Sequence, residues 1–125
     1  MAIERSALEH YVAVFVPTKD RRGRPLKRSL VGRWRQRLRQ TFRRFVEGSY
    51  IAPVYRIEGD YKADDGQWIL EPNEVVKAYG TAAACERLLR GLEEADVEGM
   101  LEELDQEAVA IESSLEGLVI YRIEG

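Results

Sequence analysis

One cysteine, Cys85, and one histidine, His10, set the first limits on this chain of 125 residues. A lone thiol can close no internal disulfide and cannot build a zinc site from several thiolates. A lone imidazole leaves histidine-rich metal centres and histidine-based triads with nothing more to draw on. The sequence therefore names no metal ligands, no cofactor and no catalytic set. It also has no apolar run near the roughly 20 residues that a membrane helix needs. Its opening, MAIERSALEH, lacks a basic stretch followed by an apolar one, so the expected setting is cytoplasmic, with no membrane contact. Asp60, Asp64, Asp65 and Glu71 form an acidic cluster, but the spacing and the glycine position of a calcium loop are wrong.

What the chain has in quantity is charge, and the charge is divided. The net value is -3, yet residues 1 to 62 carry 15 Lys and Arg against 6 Asp and Glu, whereas residues 63 to 125 carry 4 against 16. Two uses of this split remain open. The halves can screen each other within one fold, or they can face different ways and leave a basic surface for a polyanion or an acidic protein.

The basic half centres on residues 28 to 46. Leu30, Trp34, Leu38, Phe42 and Phe45 recur at steps of three to four, which predicts one buried stripe on a helix. Arg33, Arg35, Arg37, Arg39, Arg43 and Arg44 coat the rest, Ser29 is placed as a cap, and Gly48 as a stop. Ahead of the helix, residues 17 to 29 form a long basic loop with Lys19, Arg21, Arg22, Arg24, Lys27 and Arg28. Such a loop leading into a helix start suits anions, although the glycine-lysine-serine ending of a P-loop is missing. The candidate polyanion-binding residues are Arg21, Arg22, Arg24, Lys27, Arg28, Arg35, Arg39 and Arg43.

Around this helix the chain reads as short strands and a second helical region. Residues 11 to 16, YVAVFV, form a buried strand ended by Pro17, and residues 50 to 58 form another, interrupted by Pro53. Residues 59 to 66 read as a turn, and QWILE and EVVKAY as strands separated by Pro72 and Asn73. Thr81 caps a helix that buries Leu88, Leu89 and Leu92. A break is expected between Glu94 and Val97, with Asp96 capping the fresh start. Cys85 falls in the first turns of that helix, as a packing residue. Residues 108 to 112 and 118 to 123 complete a hairpin, and YRIEG occurs at both 55 to 59 and 121 to 125.

This order predicts one domain over residues 1 to 125, an α+β ferredoxin-like sandwich: an antiparallel sheet with helices on one face and an extra C-terminal strand. The chain also resembles small bacterial proteins of ferredoxin-like or dimeric α/β-barrel type that carry a Gly-x-Trp strand followed by a glutamate, here Gly66, Trp68 and Glu71. That resemblance implies a fold and no catalytic residue. The other sheet face has no helix over it, so Tyr11 and Phe15 belong to a core or to a dimer surface.

Three functions compete at this stage. The first is a non-enzymatic binding or assembly module, homodimeric through the open sheet face, whose basic loop and helix meet an acidic partner. The second is a nucleic-acid accessory protein using the arginines on phosphates. The third is a small-molecule enzyme with a pocket between sheet and helices, for which His10, Tyr11, Tyr50, Tyr55, Trp68 and Cys85 are the candidates.

Overall fold

The computed structural model describes residues 1–45, 50–51, 55–62 and 65–124. Their elements in chain order are β1 (His10–Pro17), α1 (Arg28–Phe45), β2 (Tyr50–Ile51), β3 (Tyr55–Lys62), β4 (Trp68–Gly80), α2 (Ala82–Ala95), α3 (Val97–Glu103), β5 (Ala108–Ser113) and β6 (Gly117–Arg122). The strands form one antiparallel sheet in the order β2-β4-β1-β5-β6, with β3 also paired to β4. Strands β3, β4, β1 and β5 with their helices reproduce the ferredoxin-like order, and β6 extends the sheet beyond β5.

Alternation decides which face the helices cover, because neighbouring side chains on a strand point to opposite sides. Val12, Val14 and Val16 of β1, Val76 and Ala78 of β4, and Val109 and Ile111 of β5 join one core with Trp34, Leu38 and Phe42 of α1 and Leu88, Leu89 and Leu92 of α2. Each fully buried side chain of this size contributes about 1.5–3 kcal/mol of transfer free energy. The expected stripe of α1 is present, with Leu30 and Phe45 partly buried at its ends. Ser29 lies inside α1 rather than ahead of it, and Gly48 and Val46 fall outside the described residues.

Three sequence expectations need correction. The stretch from 50 to 58 contributes two strands, β2 and β3, each paired separately with β4. Residues 59 to 62 continue β3, so the turn expected at 59 begins later, with Gly66 at φ 87°. QWILE and EVVKAY belong to one strand, the 13-residue β4. Pro72 does not interrupt β4 because its carbonyl accepts from Thr18 Oγ1 at 3.0 Å, just beyond the last β1 pair, Pro17 with Asn73. Its ring nitrogen points to that same side, where the β1 ladder has ended and no ladder bond is lost.

The helix break occurs at Asp96, whose amide still donates to Leu92 O at 2.9 Å. Its side chain makes no cap bond to α3, contrary to expectation. The buried carboxylate instead accepts from Thr41 Oγ1 at 2.8 Å and from Arg37 Nε at 3.1 Å, both on α1. The two glycines nearby are packing devices. A Cβ at Gly91 would run into the Phe45 ring, and one at Gly99 would lie 2.7 Å from Trp34 Cη2. Gly99→Ala should therefore lower the melting temperature by a few degrees, although alanine is favoured over glycine in a helix by about 1 kcal/mol. A higher melting temperature would show that the Trp34 contact yields freely.

Candidate functional site

The open face of the sheet is built by the residues that alternate with the core positions. Strand register places them in rows across the sheet. Tyr50 pairs with Tyr79 and Tyr79 with Tyr11, so three tyrosines lie side by side on β2, β4 and β1. The Tyr11 and Tyr79 ring centroids are 6.3 Å apart, and those of Tyr50 and Tyr79 are 6.5 Å apart. In the next row Lys77 pairs with Ala13, and Ala13 with Glu112. The third row runs Tyr55, Val75, Phe15, Ala110, Ile120. Beneath these rings Ala13 and Val75 are buried, whereas Tyr50 and Tyr55 remain exposed at 56% and 42%.

Lys77 ties the first row to the second. Its Nζ lies 4.2 Å from the Tyr11 ring centroid and 4.9 Å from that of Tyr79, a cation held over two aromatic faces. Desolvation works against its charge, but the Tyr79 hydroxyl and the phenols of Tyr55 and Tyr11 outweigh it, and the ammonium pKa sits above its ordinary value. Lys77 is thus cationic throughout the neutral range. The face offers aromatic rings tilted by 56° and 40° against one another, a fixed positive charge and an apolar floor.

Among the described residues, cavities also lie elsewhere. A cleft of about 230 Å³ is lined by Arg33, Trp34, Arg37 and Glu103. Three of its lining residues are already engaged: Trp34 Nε1 donates to Glu103 at 2.7 Å, and Arg37 stacks over Trp34 while pairing with Asp96. A groove of about 320 Å³ is lined by Val97, Leu101, Tyr121 and Ile123 with Glu93, Glu98, Glu102 and Arg122. The Tyr121 ring in its lining is partly buried and packs against the core. Burial, together with Glu93 and Glu116, pushes the Tyr121 hydroxyl up to about 12.

The six pocket candidates are partly gathered by this geometry. Tyr11, Tyr50 and Tyr55 share the open face. His10 alternates to the other side, and its Nδ1 lies 3.2 Å from Ser114 Oγ. Trp68 is 69% exposed at the start of β4, away from the tyrosine row. Cys85 is buried in the core under the opposite face, and desolvation raises its thiol pKa. Iodoacetamide should therefore modify Cys85 in the folded protein at least ~100-fold more slowly than in urea, since thiolate is the reactive form. Equal rates would place the thiol outside the core.

The structure adds Tyr79 and Lys77 to the expected set. A signal for both existed in VVKAYG, where Val75, Lys77 and Tyr79 alternate with the core residues Val76 and Ala78.

Part of the basic loop and helix is used within the fold. Asp20 Oδ1 accepts from the amides of Arg22 and Arg24 at 2.9 Å, and Lys19 and Pro25 form an antiparallel bridge. Gln106 Nε2 donates to Lys19 O at 2.6 Å, so the loop is an exposed turn tied by hydrogen bonds. Arg21 pairs with Asp105 at 2.7 Å, Arg24 with Asp20 at 2.9 Å and Arg35 with buried Glu74 at 3.1 Å. Arg22, Lys27, Arg28 and Arg43 are exposed, and Arg39 is half-buried. No helix among the described residues is long and apolar enough to cross a membrane.

Two solved structures share this fold along its whole length. In fold, the chain is similar to a phage SAM lyase. The lyase in complex with S-methyl-5'-thioadenosine matches with a TM-score of 0.61 and 17% identity, covering 100% of this chain and 97% of that one. The lyase in its apo state matches with a TM-score of 0.63 and 16% identity, covering 100% and 98%. No family model and no curated protein matches the sequence.

The likeness corrects the first functional expectation. A non-enzymatic assembly module, homodimeric and aimed at an acidic partner, was favoured because no catalytic signature was visible and because the charge is split. An enzyme carries the same fold over nearly the same length. Lack of a signature therefore no longer speaks against catalysis, and part of the charge split is taken up by pairs such as Arg21–Asp105, Arg35–Glu74 and Arg37–Asp96. The nucleic-acid alternative gains no support from either finding.

Proposed function

We propose that this chain is a small-molecule enzyme of SAM-lyase type that receives its nucleoside substrate on the open sheet face. The observation that carries the reading is the row Tyr50, Tyr79, Tyr11, set on the fold of a lyase that binds S-methyl-5'-thioadenosine. An adenine ring stacks on tyrosine faces, at about 1–3 kcal/mol per base in comparable sites. A sulfonium is a soft cation that electron-rich rings also attract.

The chemistry follows from the two names. S-methyl-5'-thioadenosine keeps the methyl, the sulfur and the thioadenosine of SAM, so the bond that breaks joins sulfur to the four-carbon amino-acid chain. The electron pair of that bond goes to sulfur, and the sulfonium becomes a neutral thioether. Lyase chemistry uses no water, so the four-carbon fragment keeps the balance by closing a ring or by losing a proton to form a double bond. Charge on sulfur disperses in the transition state. An apolar floor of Val75, Ala13 and Phe15 favours that state over the fully charged substrate.

The test is incubation of the purified protein with SAM at neutral pH and chromatography of the products. S-methyl-5'-thioadenosine should accumulate well above a protein-free blank, and Tyr11→Ala should cut the rate at least tenfold. Folded protein that leaves SAM at the blank rate would overturn the reading.

A further inference from the structure

We infer that Lys77 selects for the carboxylate of the ligand, so that this face takes intact sulfonium amino acids in preference to the bare nucleoside. The inference rests on the nucleoside reading above. Lys77 occupies the row next to the tyrosines, in register with Ala13, and Ala13 is in register with Glu112. Strands stand about 4.8 Å apart, so Lys77 and Glu112 are separated by roughly 10 Å at their backbones. The alanine between them leaves the middle of the row low.

The ammonium of Lys77 does not close this gap. It turns toward the aromatic row, 4.2 Å from the Tyr11 centroid, and among the described residues no salt bridge joins it to a carboxylate. A partly buried cation held by two aromatic rings and the Tyr79 hydroxyl, with no carboxylate paired to it among the described residues, is a charge prepared for an anion from outside. The anion that a SAM-like ligand brings is its α-carboxylate, one short chain away from a sulfur held at the tyrosines. Glu112, across the alanine, suits the α-ammonium of the same ligand. Lys77 and Glu112 together would read the two charged ends of a free amino acid, which S-methyl-5'-thioadenosine lacks.

Calorimetric titration with two probes tests this. Sinefungin keeps the amino-acid end and cannot be cleaved, and S-methyl-5'-thioadenosine has no such end. Wild type should bind sinefungin at least tenfold more tightly. Lys77→Met should weaken sinefungin by about 10- to 100-fold and change the nucleoside by no more than about twofold, with Lys77→Arg restoring most of the difference. Equal weakening of both probes would mean that Lys77 merely shapes the tyrosine row and would overturn the inference while leaving the functional reading standing. Nucleoside binding with no preference for sinefungin would do the same. Binding of neither probe by folded wild type would remove the functional reading itself, and the inference with it.

Discussion

Replacing Trp34 by alanine should cost about 3–5 kcal/mol, enough to unfold a large fraction of the protein near 37 °C. The indole is 1% exposed and is among the largest fully buried side chains. Its loss opens a cavity under α1, exposes the close approach at Gly99 and strips Glu103 of the donor at 2.7 Å. Arg37 would also lose the ring over which its guanidinium lies at 4.8 Å. These losses fall on one seam between α1 and α3, so little nearby structure can collapse to fill the space. Urea denaturation reads the effect as a lower midpoint with an unchanged slope. Trp34→Phe should recover more than half of it by refilling the cavity without the hydrogen bond. A loss below about 1 kcal/mol for the alanine variant would mean that α1 is held mainly by its ion pairs, against the packing argument.

The second large effect is on ligand binding. Tyr79→Ala should weaken S-methyl-5'-thioadenosine by about 10- to 100-fold, because Tyr79 is the middle of the aromatic row and touches both neighbours. Removing it also frees one of the two rings that hold Lys77. Stability should change little by comparison, since the ring lies on the uncovered face. Tyr79→Phe keeps the stacking surface and should retain most of the affinity. Titration calorimetry on the two variants separates these outcomes. Wild-type affinity in the alanine variant would remove the tyrosine row from the site.

Much of the architecture was legible because the core is periodic. Trp34, Leu38 and Phe42 announce α1 at helical spacing, and Val12, Val14 and Val16 announce a strand whose alternate residues lie on another face. Element order then led to the ferredoxin-like arrangement. Pro72 misled, because a proline signals a break only if its missing amide was needed. In β4 the proline nitrogen faces the side where β1 has already ended, a fact of register and not of composition. Asp96 misled for a related reason. Its position at a helix start suggested a cap, but Thr41 and Arg37, more than fifty residues away in sequence, compete for the carboxylate and win.

The site was only partly legible. Tyr11, Tyr50 and Tyr55 could be named as aromatic candidates, yet nothing local in the chain says that Tyr50 and Tyr11 flank the same residue of β4. That residue, Tyr79, becomes visible only through pairing. Lys77 is singled out only by its neighbours on the sheet face, Tyr11 and Tyr79. Cys85 and His10 attracted notice as the scarce reactive types, and the fold uses one as core and places the other on the far side of β1. The arginines suggested a freer surface than the fold leaves, because Asp105, Glu74 and Asp96, which pair with Arg21, Arg35 and Arg37, lie on segments that only the folded chain brings near.

The most direct measurement is a series of amide correlation spectra of the isotope-labelled protein titrated with S-methyl-5'-thioadenosine. Binding on the open face predicts shifts concentrated at Tyr11 to Phe15, Tyr50, Val75 to Tyr79 and Ala110 to Glu112, with α1 and α3 nearly unmoved. Shifts centred instead on Arg33, Trp34, Arg37 and Glu103, or on Val97, Leu101 and Tyr121, would place the ligand in one of the helix-side cavities and contradict the assignment of the site to the sheet.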